Sequence, residues 1–218
     1  MRALFWKDSL LLSAFLAFGL MVFSAMVFEL GFDRAFVLPF SPMPEELIWG
    51  WVLWAAGFGW MLGATDRLRG VVGYVEHRGF SKARLFSTQL ANGGLVLLAV
   101  LILPWCFLAI LDRGLFEPDF MGLGSRWLWA STIALPCFGV GIFTAKLPLH
   151  WGIRLVVAAA ALPWVVGERP ELAILTPMHF GPLGFAARNL VACAVLLLAA
   201  YLADKAQGDR DIPLGRAA

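Results

Sequence analysis

Residues 89–111 read QLANGGLVLLAVLILPWCFLAIL, a run with no charged side chain. As a helix rising about 1.5 Å per residue it reaches across the roughly 30 Å hydrocarbon core of a bilayer. Its apolar residues are continuous rather than alternating, which argues for a helix and against a barrel strand. Lipid as the solvent would decide the fold class, because only helices and closed barrels satisfy the backbone there.

Working outward, the same signal recurs along the chain. Spans are predicted at Leu10–Leu30, Glu46–Ala64, Gln89–Leu111, Trp127–Ala145, Leu149–Val166 and Phe185–Leu202, each near the 20 or so residues a crossing needs. The expected fold is all-α, a polytopic membrane protein of six transmembrane helices in a single domain over 1–218. The whole composition agrees: 61% hydrophobic residues, 15% charged and a mean hydropathy of +0.79 in 218 residues, against about 45–50% apolar in soluble domains. Arg2 and Lys7 give the N-terminus a signal-like start, but the apolar run continues through Phe28. That is too long for a cleaved segment, so it reads as the first span. Between spans four and five, Lys146-Leu147-Pro148 reads as a tight turn, since proline ends a helix and lysine marks an interface.

Basic residues set the expected orientation. Arg2 and Lys7, then Arg67, Arg69, Arg78, Lys82 and Arg84, then Lys146 and Arg154, then Lys205, Arg210 and Arg216 make up twelve of the 17 Lys and Arg. All lie on connectors of one face, which is cytoplasmic under the positive-inside rule, so both termini are expected inside. The opposite connectors are acidic and proline-bearing, with Asp33, Glu45, Asp112, Glu117, Glu168 and Glu171 among them. Trp49, Trp51, Trp105, Trp127, Trp129, Trp151 and Trp164 fall near span ends and read as interfacial anchors. Lys146 and Arg154 read as anchors at the inner face.

Several function classes find no support. A net charge of +2 without a basic run gives no footprint for nucleic acid. Cys106, Cys137 and Cys193 lie in apolar segments without CxxC spacing and read as small buried thiols. The chain has no GxxxxGK[ST] stretch for ATP, and no paired carboxylates, Ser/His/Asp set or metal-spaced ligands. It is not expected to be an enzyme or to bind a cofactor itself.

A few residues stand out. Glu29 near the outer end of span one and Arg188 at the start of span six are ionisable groups inside apolar segments. Such residues are either functional or snorkel to the interface. His179 follows Met178 in an outer connector; the pair could meet a haem iron, or simply form an interfacial turn. His77 reads as a solvated loop residue. Gly57, Gly59 and Gly63 in span two and Gly139 and Gly141 in span four permit close backbone approach, within one chain or across a dimer seam. The longest polar excursion, Asp66-Arg67-Leu68-Arg69-Gly70-Val71-Val72-Gly73-Tyr74-Val75-Glu76-His77-Arg78-Gly79-Phe80-Ser81-Lys82-Ala83-Arg84-Leu85-Phe86, is basic and amphipathic. It suits a protein partner or the lipid surface.

This layout resembles the membrane subunits of type-2 ABC exporters. Arg2-Ala3-Leu4-Phe5-Trp6-Lys7-Asp8 looks like the family's N-terminal elbow helix over 1–9, residues 66–86 look like its cytoplasmic coupling segment, and 203–218 a cytoplasmic tail. Asp66-Arg67-Leu68-Arg69-Gly70, Tyr74-Val75, Gly79 and Ser81-Lys82-Ala83-Arg84-Leu85 follow the family's rhythm into span three. Leu47-Ile48-Trp49-Gly50-Trp51-Val52-Leu53-Trp54 looks like the haem-exporter B branch of cytochrome c maturation, although the patch before the glycine is basic here and Gly79 stands where that family has proline. The resemblance implies a permease in a bacterial inner membrane, a second permease copy in a homodimer or heterodimer, and a separate cytoplasmic ATPase that binds ATP. Val72, Tyr74, Val75, Glu76, Arg78 and Phe80 would make the ATPase contact, the apolar members filling a groove and Glu76 and Arg78 fixing register. A non-transporting membrane assembly or immunity subunit is the alternative of another class.

Overall fold

The structure, a computed structural model, describes residues 12–25, 45–68, 82–111, 120–166 and 181–206. Among them the chain is all-helical, with no strand. The helices are α1 (Leu12–Ala25), α2 (Glu45–Leu68), α3 (Lys82–Leu111), α4 (Phe120–Lys146), α5 (Trp151–Val166) and α6 (Gly181–Ala206). Each coincides with one of the apolar runs read from the sequence. By length and composition α3 over Ala83–Pro104 and α6 over Ala186–Ala206 are able to cross a membrane, while α1, α4 and α5 carry shorter apolar stretches. Several boundaries move outward: α4 begins at Phe120 rather than Trp127, and α6 covers Gly181–Ala206 rather than Phe185–Leu202. α2 continues past Ala64 to Leu68, and α3 begins at Lys82 rather than Gln89, because a charged residue does not end a helix as proline or a cap does.

The hub is α4. Ile133, Ala134, Cys137, Val140, Ile142 and Ala145 are all buried, so the helix is covered on every side. It packs chiefly between α2 and α6, and all three run in the same direction: Gly59 meets Phe138 and Gly63 meets Ala145, while Thr132 meets Asn189 and Lys146 meets Asp204. α1 runs against α2, Phe15 lying 5.6 Å from Phe58 and Phe23 lying 4.8 Å from Trp51 between ring centroids. α3 packs beside α2, its Gln89 donating to the Leu62 carbonyl at 3.3 Å, and its start lies by the end of α6, with Phe86 5.6 Å from Tyr201 between ring centroids.

Glycine makes the α2–α4 contact possible. A methyl at Gly141 would overlap the Ala56 carbonyl oxygen and stand 2.6 Å from the Trp60 backbone nitrogen, and one at Gly59 would overlap the Phe138 carbonyl. The two backbones therefore touch directly. These glycines join helices within one chain, as does Gly63 against Ala145 and Gly139 against Leu196; Gly57 alone of the five has open space beside it.

Aromatic residues fill the α1–α2 side. Trp51 and Trp54 stack at 4.8 Å, Trp54 and Phe58 at 5.6 Å, and Phe58 reaches Phe138 of α4. The Trp54 indole donates to the Phe15 carbonyl at 3.0 Å, over Gly19. Trp51 is thus fully buried and is no interfacial anchor, because Phe23 of α1 and Trp54 pack against its ring. Trp151 is exposed, as an anchor would be.

The outside of the bundle is apolar. Leu95, Leu98 and Leu103 on α3 and Leu190, Val195 and Leu198 on α6 are each more than half exposed. Meanwhile Thr132, Thr144, Lys146 and Asn189 lie inside. This is the reverse of the usual order for a protein in water.

Candidate functional site

Polar side chains gather at two places along the α4–α6 seam. The first lies toward the α6 N-terminus. The Asn189 side chain, fully buried, accepts two hydrogen bonds at Oδ1 from Arg188, from Nε at 3.3 Å and Nη2 at 3.1 Å. Its Nδ2 donates to Thr132 Oγ1 on α4 at 3.5 Å. Pro136 sits one turn beyond Thr132 and has no N–H to give the Thr132 carbonyl. The cluster therefore forms where the α4 backbone is itself short of a helical bond. A buried amide needs all its partners, and this one links a cation to a hydroxyl on the next helix.

Removing that link has a readable cost. Asn189→Leu takes an acceptor from Arg188 and a donor from Thr132, and is expected to destabilise the protein by about 1–3 kcal/mol. Asn189→Asp restores the acceptor with a negative charge beside Arg188 and should recover most of the loss. Thermal unfolding in detergent measures both.

The second place is the opposite, basic end, where α2, α4 and α6 finish and α3 and α5 start. Lys146 is only 3% exposed, and its Nζ lies 3.4 Å from Asp204 Oδ1 at the end of α6. It is not a surface anchor but a buried charge with a carboxylate. Arg154 donates through Nε to the Leu149 carbonyl at 2.7 Å and through Nη1 to the Ala145 carbonyl at 3.0 Å. It thus serves the C-terminal carbonyls of α4 and the turn after it. The turn closes as the lysine-proline sequence indicated, with Leu147 N donating to Thr144 O at 3.3 Å.

Of the candidate coupling, pathway and ligand residues read from sequence, only Arg188 lies among the described ones. Val72, Tyr74, Val75, Glu76, Arg78, Phe80, Glu29 and His179 lie outside the described residues, as do the 1–9 elbow and 69–81 of the coupling segment. Cys137 and Cys193 are buried, whereas Cys106 is exposed. Sequence reading missed Asn189, Thr132 and Asp204 as partners. Asn189 carried a signal, being a neutral polar residue beside Arg188 in an apolar run. Among the described residues no group of His, Cys, Asp or Glu could hold a metal ion. No protein-family model, curated protein or solved structure matches the chain.

Proposed function

We propose that the chain is the membrane subunit of an ABC exporter of the type-2 class. In this reading all six helices cross a bacterial inner membrane, both termini face the cytoplasm, and a separate ATPase drives the movement. The observation that carries the membrane half is the inverted surface: long apolar side chains outside on α3 and α6, and Asn189, Thr132 and Lys146 within. A surface of that kind is stable in lipid and a liability in water. α2 and α4 fit the same environment although glycines and tryptophans dilute their hydropathy, because their faces are covered by other helices rather than by lipid.

Support for the exporter half comes from the basic end. Arg84, Lys146, Arg154 and Lys205 belong to helix ends that meet there, and residues 69–81 follow α2 and precede α3 in the sequence. An ATPase docked on this segment would act directly on α2, which is in backbone contact with the hub helix.

Charge reversal tests the docking. Glu76→Lys combined with Arg78→Glu is expected to leave the protein folded in the membrane and to cut capture of the ATPase at least about tenfold, since register-setting rim charges become repulsive. An unchanged yield of ATPase with the double variant would remove these residues from the contact.

A further inference from the structure

The two sides of α4 are built differently. Toward α2 the helices are in close backbone approach at Gly59, Gly63 and Gly141, with the Phe58 and Phe138 rings beside them. Backbone atoms at Gly59 and Gly141 cannot rotate out of the way to allow sliding, so the pair stays together or comes apart as a whole. Toward α6 the contact is made by side chains, with Asn189 on Thr132 at one end, Leu196 and Cys193 over Gly139 in the middle, and the Lys146–Asp204 pair at the basic end.

The ion pair has a property that an apolar contact lacks. Lys146 is 3% exposed and Asp204 23%, so the closed seam strips water from the lysine and offsets that cost with the carboxylate. If the seam parts at this end, both charges regain water and the loss of the pair is offset in turn. Closed and open arrangements are then comparable in free energy, whereas an apolar filling would favour only the closed one.

We propose that α2 and α4 move as one body and that the Lys146–Asp204 ion pair is a latch on the basic end of the α4–α6 seam. Paired, it holds the seam shut; hydrated, it lets α4 part from α6. What the movement serves rests on the permease reading, in which an ATPase acts on α2, but the latch is a property of this chain alone.

Thiols report on it. Cys193 lies in the α4–α6 seam over Gly139, with the buried Cys137 near it, while Ala56→Cys, at the buried α2 residue whose carbonyl Gly141 meets, reports on the α2–α4 contact. Ala200, fully buried and one turn before Asp204, accepts a third probe as Ala200→Cys. The experiment uses the full chain in detergent with Cys106→Ser, which removes the exposed thiol. N-ethylmaleimide labelling is followed site by site by mass spectrometry. With Asp204→Asn, Cys193 and Ala200→Cys are expected to react about tenfold faster or more, and Ala56→Cys at the parent rate. With Lys146→Met and Asp204→Leu together, all sites should react no faster than in the parent, because the seam is then filled by apolar groups.

Three results would overturn the latch: seam thiols at the parent rate in Asp204→Asn, Ala56→Cys accelerating as much as Cys193, or faster seam labelling in the apolar double variant. That double variant decides the matter even where Asp204→Asn does not fold. Since no ATPase is present, failure here leaves the exporter reading intact, and failure to capture an ATPase leaves the latch intact.

Discussion

Gly141→Leu is expected to abolish the folded bundle, and even Gly141→Ala should cost about 3 kcal/mol, at the upper end for overpacking. The added methyl would overlap the Ala56 carbonyl and press on the Trp60 nitrogen. Both are backbone atoms that cannot rotate away, so α2 and α4 must separate. Separation would also break the facing contacts of Gly59 and Gly63 and the stacking of Phe58 on Phe138. Gly57→Ala is the matched control, since nothing lies within 4 Å of the position its methyl would take. It should be neutral or stabilise by up to about 1 kcal/mol, as alanine is the better helix former. Size-exclusion profiles after a temperature ramp in detergent compare the three variants. Equal behaviour of Gly141→Ala and Gly57→Ala would mean that α2 and α4 are not in backbone contact.

Val195→Arg is expected to block membrane insertion of α6 or expel it from the bilayer. Val195 is 60% exposed, near the middle of the apolar stretch Ala186–Ala206, on a face it shares with the exposed Val191, Leu198 and Leu202. In water, arginine at such an exposed position would change stability by no more than about 0.5 kcal/mol. At the centre of a bilayer it costs about 2.5–3.5 kcal/mol on insertion scales. Ala206→Arg, beside Lys205 at the basic end, should be tolerated because the side chain reaches the interface. Carbonate extraction of membranes expressing each variant distinguishes them. Val195→Arg protein that remains as firmly membrane-bound and as stable as the parent would place α6 outside the lipid.

The helices were legible because each is announced by a long apolar run, and such a run needs no knowledge of its neighbours. What lay beyond reach was which helices touch. Trp51 and Trp151 look alike in sequence, both near the end of a run, yet one is stacked in the core and the other exposed. The difference depends on the α1 residues opposite, such as Phe23. Lys146 resembled an anchor because its partner Asp204 lies on another helix and no local pattern links them. The glycines signalled close approach without saying to what; their destinations follow from α4 lying between α2 and α6. Arg188 was visible as a charge in an apolar segment, but the amide-hydroxyl chain that fixes it needed the helix pairing to be seen.

The most direct test of a permease driven from another chain is purification from its native membranes in mild detergent, with ATP hydrolysis measured in the eluate. The exporter account predicts that an ATPase copurifies and that hydrolysis depends on it, the sequence containing no GxxxxGK[ST] stretch. A chain that purifies alone, without ATPase activity, while still performing its role in the cell, would contradict it.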